Sequence, residues 1–359
     1  MGEGNKMIAQ HYYTRDRKGV FSKTPGYDTV AKSSELENEF IINTLQELCF
    51  YEVPSPLVGE EDIFKYPAAL FYANVENKMI IGQSVFGGKD YTGQRNRYFT
   101  HNYIIPEKER EIYIENPEKI IYASGFKRDY DIEKGSMLQQ IREIPLDNRD
   151  NCFNSIENMF SATGINTEIF TSLIKACFKS VKYCRKIYIV LNVDYSHINT
   201  VSRGILKYLY RVLPFEVRRN LGFITYMKEP KLKDSINIIF LARGSIKRLS
   251  TEIKAGYVFD LSKKDFYLDD IGEEKHEFIE FVMDNIENTE NLKKFFSRAD
   301  STLLGGRLNI CEYDEFFKEP PQKKKEAPCE NTIIPVENKN SNLFFKDIFK
   351  KIFTFFKNS

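Results

Sequence analysis

Two histidines stand out among the residues that could do chemistry, because only four occur in the 359 residues of the chain. His101 lies in the run "YFTHNYII", directly after a glycine-rich basic loop that contains Arg95 and Arg97. His11 lies in a second short run of apolar and aromatic residues near the N-terminus. Paired imidazoles can serve as general acid and base, and a glycine-rich loop with arginines can hold an anion. One hypothesis is therefore a hydrolase or nuclease site that uses His11 and His101 beside the Arg95/Arg97 loop.

A structural role is the other interpretation of His101. The alternation of a strand places four residues on one face, namely Phe99, His101, Tyr103 and Ile105. A histidine on such an apolar face is more often a hydrogen-bonded core residue than a catalytic base. No feature of the sequence places the strand of His11 beside that of His101. We therefore expect His101 to shape its strand, and we keep the paired-histidine site as the alternative.

Searches for the common catalytic motifs favour a protein that is not an enzyme. The loop "FGGKDYTGQRNR" lacks the GxxxxGK[ST] spacing that wraps the phosphates of a nucleotide, and it is better explained as a hairpin or surface loop. The motifs GxGxxG, GxSxG and HExxH do not occur. The six cysteines include no CxxC pair, which argues against a zinc site or a disulfide framework. We expect no catalytic residue, no metal and no cofactor.

The elements that carry these residues form two regions of mixed secondary structure. Residues 1–148 predict mainly antiparallel strands, with a tight turn at Glu76-Asn77 and one long helix. That helix is expected to begin at a capping box formed by Ser34 and Glu37. Residues 149–317 predict amphipathic helices that alternate with short apolar strands. The predicted fold class is therefore α+β for an N-terminal domain and α/β for a middle domain.

The last part of the sequence differs in composition from these two regions. Residues 318–342 are rich in Pro, Lys, Glu and Asn, which predicts a disordered linker. Residues 343–359 predict a basic amphipathic helix of the kind that lies in a membrane interface. Its apolar face would comprise Phe344, Phe345, Ile348, Phe349, Ile352, Phe353 and Phe356, and its basic face Lys346, Lys350, Lys351 and Lys357.

Composition and charge predict a cytoplasmic protein. The formal net charge is +1, so no nucleic-acid partner is expected. The N-terminus lacks the apolar core of a signal peptide, and no apolar run reaches the ~20 residues that span a bilayer. The C-terminal helix is expected to attach the chain peripherally to the anionic inner membrane surface. Docking of that helix on a protein partner is the alternative.

Three stretches carry a family resemblance: "IAQHYYTRDRKGVFSKTPGYDTVAKSSEL", "GGKDYTGQRNRYFTHNYII" and "LPFEVRRNLGFITYM". Their order and spacing resemble the bacterial GTPase-associated protein family, first type, in which an N-terminal domain precedes a middle domain. The family-like positions are Gln10, Tyr12, Thr14, Pro25, Gly26, Tyr27 and Ser33 in the first stretch, Arg97, Thr100 and His101 in the second, and Leu213, Pro214, Arg218, Phe223 and Thr225 in the third.

The resemblance implies an adaptor. Members of that family are associated with small Ras-like GTPases in multi-gene bacterial systems of signalling or conflict, and they offer no catalytic residues to carry over. The chain is therefore expected to be a non-catalytic scaffold that recruits a small Ras-like GTPase or an associated system protein.

Overall fold

The computed structural model describes residues 7–147, 152–231, 233–303 and 308–318. Within these ranges the strands form a single sheet. In chain order they are β1 (Ala9–Asp16), β2 (Gly26–Lys32), β3 (Ala69–Val75), β4 (Lys78–Lys89), β5 (Asn96–Ile105), β6 (Ile187–Leu191), β7 (Phe223–Met227), β8 (Ile238–Ala242), β9 (Tyr257–Asp260) and β10 (Asp265–Tyr267). Their order across the sheet is β10-β9-β6-β8-β7-β3-β4-β5-β1-β2.

Helices pack against this sheet and supply much of the remaining core. They are α1 (Asn38–Phe40), α2 (Gln46–Leu48), α3 (Glu107–Glu115), α4 (Glu118–Ile121), α5 (Ile156–Thr163), α6 (Thr167–Tyr183), α7 (Tyr195–Val212), α8 (Phe215–Asn220), α9 (Thr251–Lys254), α10 (Glu277–Asp284), α11 (Thr289–Thr302) and α12 (Ile310–Asp314). A π-helical turn, Ile41–Leu45, joins α1 to α2, and 3₁₀ turns occur at Ser55–Leu57, Ile63–Lys65 and Ile132–Lys134.

The N-terminal strands are antiparallel, and the predicted turn between two of them is confirmed. Glu76 and Asn77 connect β3 to β4, and their φ angles are +50° and +62°. Two successive left-handed residues are the geometry of a type I′ turn, whose twist matches that of the strands it joins.

The predicted capping box is wrong. The Ser34 hydroxyl donates to Glu35 Oε1 at 2.8 Å, and Glu37 precedes the helix without a side-chain cap. A turn explains the difference, because the Leu36 N–H donates to the Ser33 carbonyl and delays the start of the helix. Phe40, Ile41, Leu45 and Leu48 form the buried apolar face of this helical segment.

The strands of residues 187–260 form the parallel part of the sheet. β9, β6, β8 and β7 run side by side, and β10 pairs antiparallel with β9. All residues of β6, β7 and β8 are buried, as expected for parallel strands covered by helices on both faces.

A seam between β3 and β7 joins the two parts into one sheet. Phe71 pairs with Ile224 and Tyr72 with Phe223 in antiparallel register. The backbones approach closely beside this seam, because a Cβ on Gly222 would lie 2.0 Å from the Ser235 carbonyl oxygen. The mixed α/β fold class is therefore confirmed. The predicted linker beyond Lys318 and the C-terminal helix lie outside the described residues.

Candidate functional site

The structure places the strands of the two histidines side by side. β1 pairs antiparallel with β5, and the register sets His11 opposite Asn102 and Tyr12 opposite His101. Directly opposed residues share one face of a sheet, whereas successive residues point to opposite faces. The His11 and His101 side chains therefore lie on different faces of the same sheet.

His101 is a fully hydrogen-bonded core residue. The Lys127 N–H donates to Nδ1 at 3.1 Å, so the ring proton resides on Nε2 and is donated to Gln10 Oε1 at 3.1 Å. The ring packs against Tyr12 and Tyr103, with centroids 4.6 and 4.3 Å away. Burial lowers the pKa of His101 to about 3, so the imidazole is neutral at physiological pH.

His11 is buried in a similar manner on the opposite face. Asn102 Nδ2 donates to His11 Nδ1 at 3.0 Å, which leaves the Nε2 proton to donate to Thr29 Oγ1 at 2.8 Å. A glycine makes room for this contact, because a Cβ on Gly82 would lie 2.1 Å from Asn102 Oδ1. Burial lowers the pKa of His11 to about 3.

This geometry does not support the paired-histidine hypothesis. The two imidazoles face opposite sides of the sheet, so they cannot share one water molecule. Both ring nitrogens of each histidine already have partners in the protein. A general acid or base also needs a pKa near the working pH, and burial moves both imidazoles away from that range.

The basic loop before His101 is a hairpin connection, and a carboxylate occupies its centre. Asp90 Oδ1 accepts hydrogen bonds from the Thr92 hydroxyl at 2.6 Å and the Thr92 N–H at 3.1 Å, and Oδ2 accepts from Arg15 Nε at 3.2 Å. These bonds, that from the Thr92 hydroxyl foremost, lower the pKa of Asp90 to about 2. Arg97 is directed to Asp129 at 2.8 Å. Carboxylates of the protein therefore already occupy these donors and both Arg15 and Arg97.

The remaining family-like residues of the first two stretches hold the edge of the sheet together. The Gln10 N–H donates to Ser33 Oγ at 2.9 Å, and the Ser33 N–H donates back to the Gln10 carbonyl at 2.8 Å. Thr14 Oγ1 donates to the Tyr98 carbonyl at 2.6 Å, while the Tyr98 N–H donates to the Tyr27 hydroxyl at 3.2 Å.

The same stretches contain a hydroxyl pair and a turn. The Thr100 and Ser84 hydroxyls lie 2.7 Å apart between β5 and β4. Pro25 is exposed immediately before Gly26, where β2 begins. All these contacts are structural.

The third stretch lies at the seam between the two parts of the sheet. Thr225 Oγ1 accepts a hydrogen bond from the Leu70 N–H at 2.8 Å and donates to Asn199 Oδ1 at 2.7 Å. Phe223 pairs with Tyr72 across the seam. Pro214 precedes α8 at its N-cap. These residues therefore connect the middle region to the N-terminal region.

Arg218 is a buried cation near this seam, and its guanidinium donates several hydrogen bonds. Its guanidinium donates to the carbonyls of Leu213 at 2.7 Å, Ile114 at 3.0 Å and Arg211 at 3.0 Å. The group also lies 5.1 Å from the centroid of the Phe215 ring. Burial lowers the pKa of Arg218 to about 10, so the guanidinium is still charged at neutral pH. A single buried cation thus joins carbonyls of both regions.

Sequence reasoning missed these cross-connections because their partners are distant in the chain. The Arg218–Ile114 bond spans 104 positions and the His101–Gln10 bond spans 91. The resemblance to a family marked Arg218 and Gln10, but no local pattern indicated what they contact.

None of the helices in the described ranges has both the length and the apolar character needed to cross a membrane.

Comparison with protein families matches two successive parts of the chain. Residues 7–144 match the model of GTPase-associated protein 1, N-terminal domain type 2. Residues 159–263 match the model of GTPase-associated protein 1, middle domain. No curated protein matches the chain. The two matched domains together cover most of the sequence and all the strands up to β9, and the chain belongs to the GTPase-associated protein 1 family.

Proposed function

We propose that the chain is a non-catalytic adaptor that holds a small Ras-like GTPase, or a protein associated with it, in a bacterial signalling or conflict system. Membership in the family links the chain to a GTPase. The adaptor role rests on one observation. The polar groups of the family-like residues form hydrogen bonds within the fold. Such residues maintain a surface for a partner rather than a reaction.

The seam between β3 and β7 supports this role. An adaptor must present its binding surface in a constant geometry, because movement of the surface weakens association. Strand pairing, the Leu70–Thr225 hydrogen bond and the buried Arg218 each bridge the two matched domains. These bonds favour a scaffold in which the two domains act as one body.

The carboxyl edge of the parallel strands is the surface that we assign to the partner. Ligands of open α/β sheets bind at this edge. A recess there of about 200 Å³ is lined by Lys247, Arg248, Lys263, Asp260 and other residues. Lys263 is paired with Asp260, whereas the exposed side chains of Lys247 and Arg248 form no ion pair with any described carboxylate. Two unpaired cations favour a partner with an acidic surface.

The test is recovery of a GTPase from native lysate by the full chain, in GDP and separately in a non-hydrolysable GTP analogue. We expect mass spectrometry to identify a small GTPase, enriched in one nucleotide state. Replacing Lys247 and Arg248 by glutamate should reduce its recovery about tenfold, because like charges then face each other. Lys182→Glu is the matched control and should leave recovery unchanged. Lys182 is exposed at the end of α6, near the amino end of β6 rather than the carboxyl ends of the parallel strands. Absence of any GTPase in both states would contradict the proposal.

Attachment to the membrane is a separate part of the proposal. Residues 343–359 lie outside the described residues, so the support comes from their pattern of phenylalanines and lysines. Deleting them should abolish co-sedimentation with vesicles that contain anionic lipid, while the intact chain binds. Vesicles of zwitterionic lipid alone are the control, since they lack the charge that attracts the lysines. Equal binding of the intact and truncated chains to anionic vesicles would rule out the anchor.

A further inference from the structure

Three side chains with metal-ligating atoms converge near the end of the described chain. His276 immediately precedes α10, and Cys311 and Asp314 lie on α12. Residues three positions apart occupy one face of a helix, so Cys311 and Asp314 project in the same direction. One ligand atom from each of the three residues lies within 4.8 Å of the other two. We propose that His276, Cys311 and Asp314 form a zinc site that holds α12 against the start of α10.

The three ligand atoms lie close enough for one zinc ion to bind all of them after small movements of the side chains. Zinc bonds of about 2.0–2.3 Å keep ligand atoms roughly 3.3–3.7 Å apart. His276 Nδ1 and Asp314 Oδ2 lie 2.7 Å apart and are joined by a hydrogen bond that Nδ1 donates. A zinc ion replaces that proton, and the two atoms separate by less than an ångström. Cys311 is exposed, so its side chain can rotate toward the ion without disturbing the core.

The surroundings fix the ligands in the way that metal sites require. Asp314 Oδ1 accepts a hydrogen bond from the Phe278 N–H at 3.0 Å, which orients the carboxylate. Between the ligands on α12, Tyr313 is buried and packs against Phe278 with centroids 5.1 Å apart. His276 is itself buried. His276 and Asp314 are therefore held in place by the fold, and only Cys311 has to rotate to reach the ion.

The donor set selects zinc over the hard cations. Calcium and magnesium need several oxygen ligands, and this site offers only one carboxylate. Thiolate with imidazole suits zinc, which forms strong bonds to sulfur and nitrogen. Lys175 lines the adjoining recess of about 150 Å³, and its ammonium donates to the carbonyls of Gly272 and Glu274 at 2.8 and 2.6 Å.

The bound zinc would fasten α12 to the start of α10. α12 has five residues, which is too short for a helix to be stable by itself. Three protein ligands close the chain between positions 276 and 314 around one ion, and the fourth coordination position remains for a water molecule. Binding requires the thiolate, so the Cys311 proton is released to solvent, and the proton on His276 Nδ1 moves to Nε2 so that the Nδ1 lone pair can bind zinc.

The test uses the purified full-length chain without a polyhistidine tag. After dialysis against zinc and then against buffer, elemental analysis is expected to find one zinc ion per chain. Substitution of cobalt(II) should produce the charge-transfer absorption of a thiolate–cobalt bond together with intense tetrahedral ligand-field bands. Cys311→Ser should remove the charge-transfer band and weaken zinc binding at least tenfold, while Cys184→Ser, a change at another exposed cysteine, should alter neither.

A second variant separates loss of a ligand from loss of folding. His276→Gln should also weaken zinc binding, with a circular dichroism spectrum like that of the unsubstituted chain. A charge-transfer band that persists in Cys311→Ser would overturn the proposal, as would failure of the unsubstituted chain to retain zinc in stoichiometric amount.

Discussion

Fragments 1–148 and 149–317, expressed separately, are expected to be insoluble. In the intact chain β3 pairs with β4 on one side and with β7 on the other. Without the second fragment, β3 would become an edge strand whose residues from Ala69 to Ala73 are all buried in the native sheet. A long apolar edge strand is a site of aggregation. The second fragment would likewise lack β3, and β7 would become its exposed edge strand.

The measurement is the soluble fraction of each fragment, followed by size-exclusion chromatography. The two fragments co-expressed from separate reading frames are the control, and they should co-elute as a one-to-one complex. A monodisperse fragment 1–148 with the circular dichroism of a folded protein would show that the N-terminal domain does not depend on the seam.

Replacing Arg218 by alanine is expected to lower the free energy of unfolding by about 3–5 kcal/mol. The substitution leaves the carbonyls of Leu213, Ile114 and Arg211 without their donor in a buried place, and it opens a cavity beside Phe215. Arg218→Lys should recover only part of the loss, because an ammonium cannot reproduce the planar arrangement of donors in a guanidinium.

Urea denaturation followed by circular dichroism measures this change. Arg248→Ala is the matched control, since Arg248 is exposed, and it should stay within about 0.5 kcal/mol of the unsubstituted chain. A loss below about 1 kcal/mol in Arg218→Ala, the size of one ordinary hydrogen bond, would contradict the role assigned to this residue.

Local chemistry made part of the fold predictable. The turn at Glu76 and Asn77 could be foreseen because asparagine tolerates the left-handed conformation and apolar runs flank it on both sides. The apolar face of α1 and α2 could be foreseen from its spacing. The start of that helix could not, because a turn at Ser33 and Leu36 competes with the capping box and is equally local.

Contacts between distant parts of the chain set the limit of prediction. Whether His11 lies near His101 depends on the pairing of β1 with β5, and no spacing in the sequence specifies that pairing. His276 and Asp314 are 38 positions apart, and neither belongs to a recognised ligand motif. The expectation of no metal site followed from motif spacing, which does not detect side chains that only the fold brings together, such as the three proposed zinc ligands.

The single sheet also sets the distance between its two edge strands, β10 and β2. Ten strands lie side by side from β10 to β2, and nine intervals of about 4.8 Å span roughly 43 Å. Proteins bound at the two ends would be held apart by a spacer that hydrogen bonds between strands make hard to stretch. The carboxyl ends of β8 and β9, where the partner is proposed to bind, therefore lie most of this width away from β2.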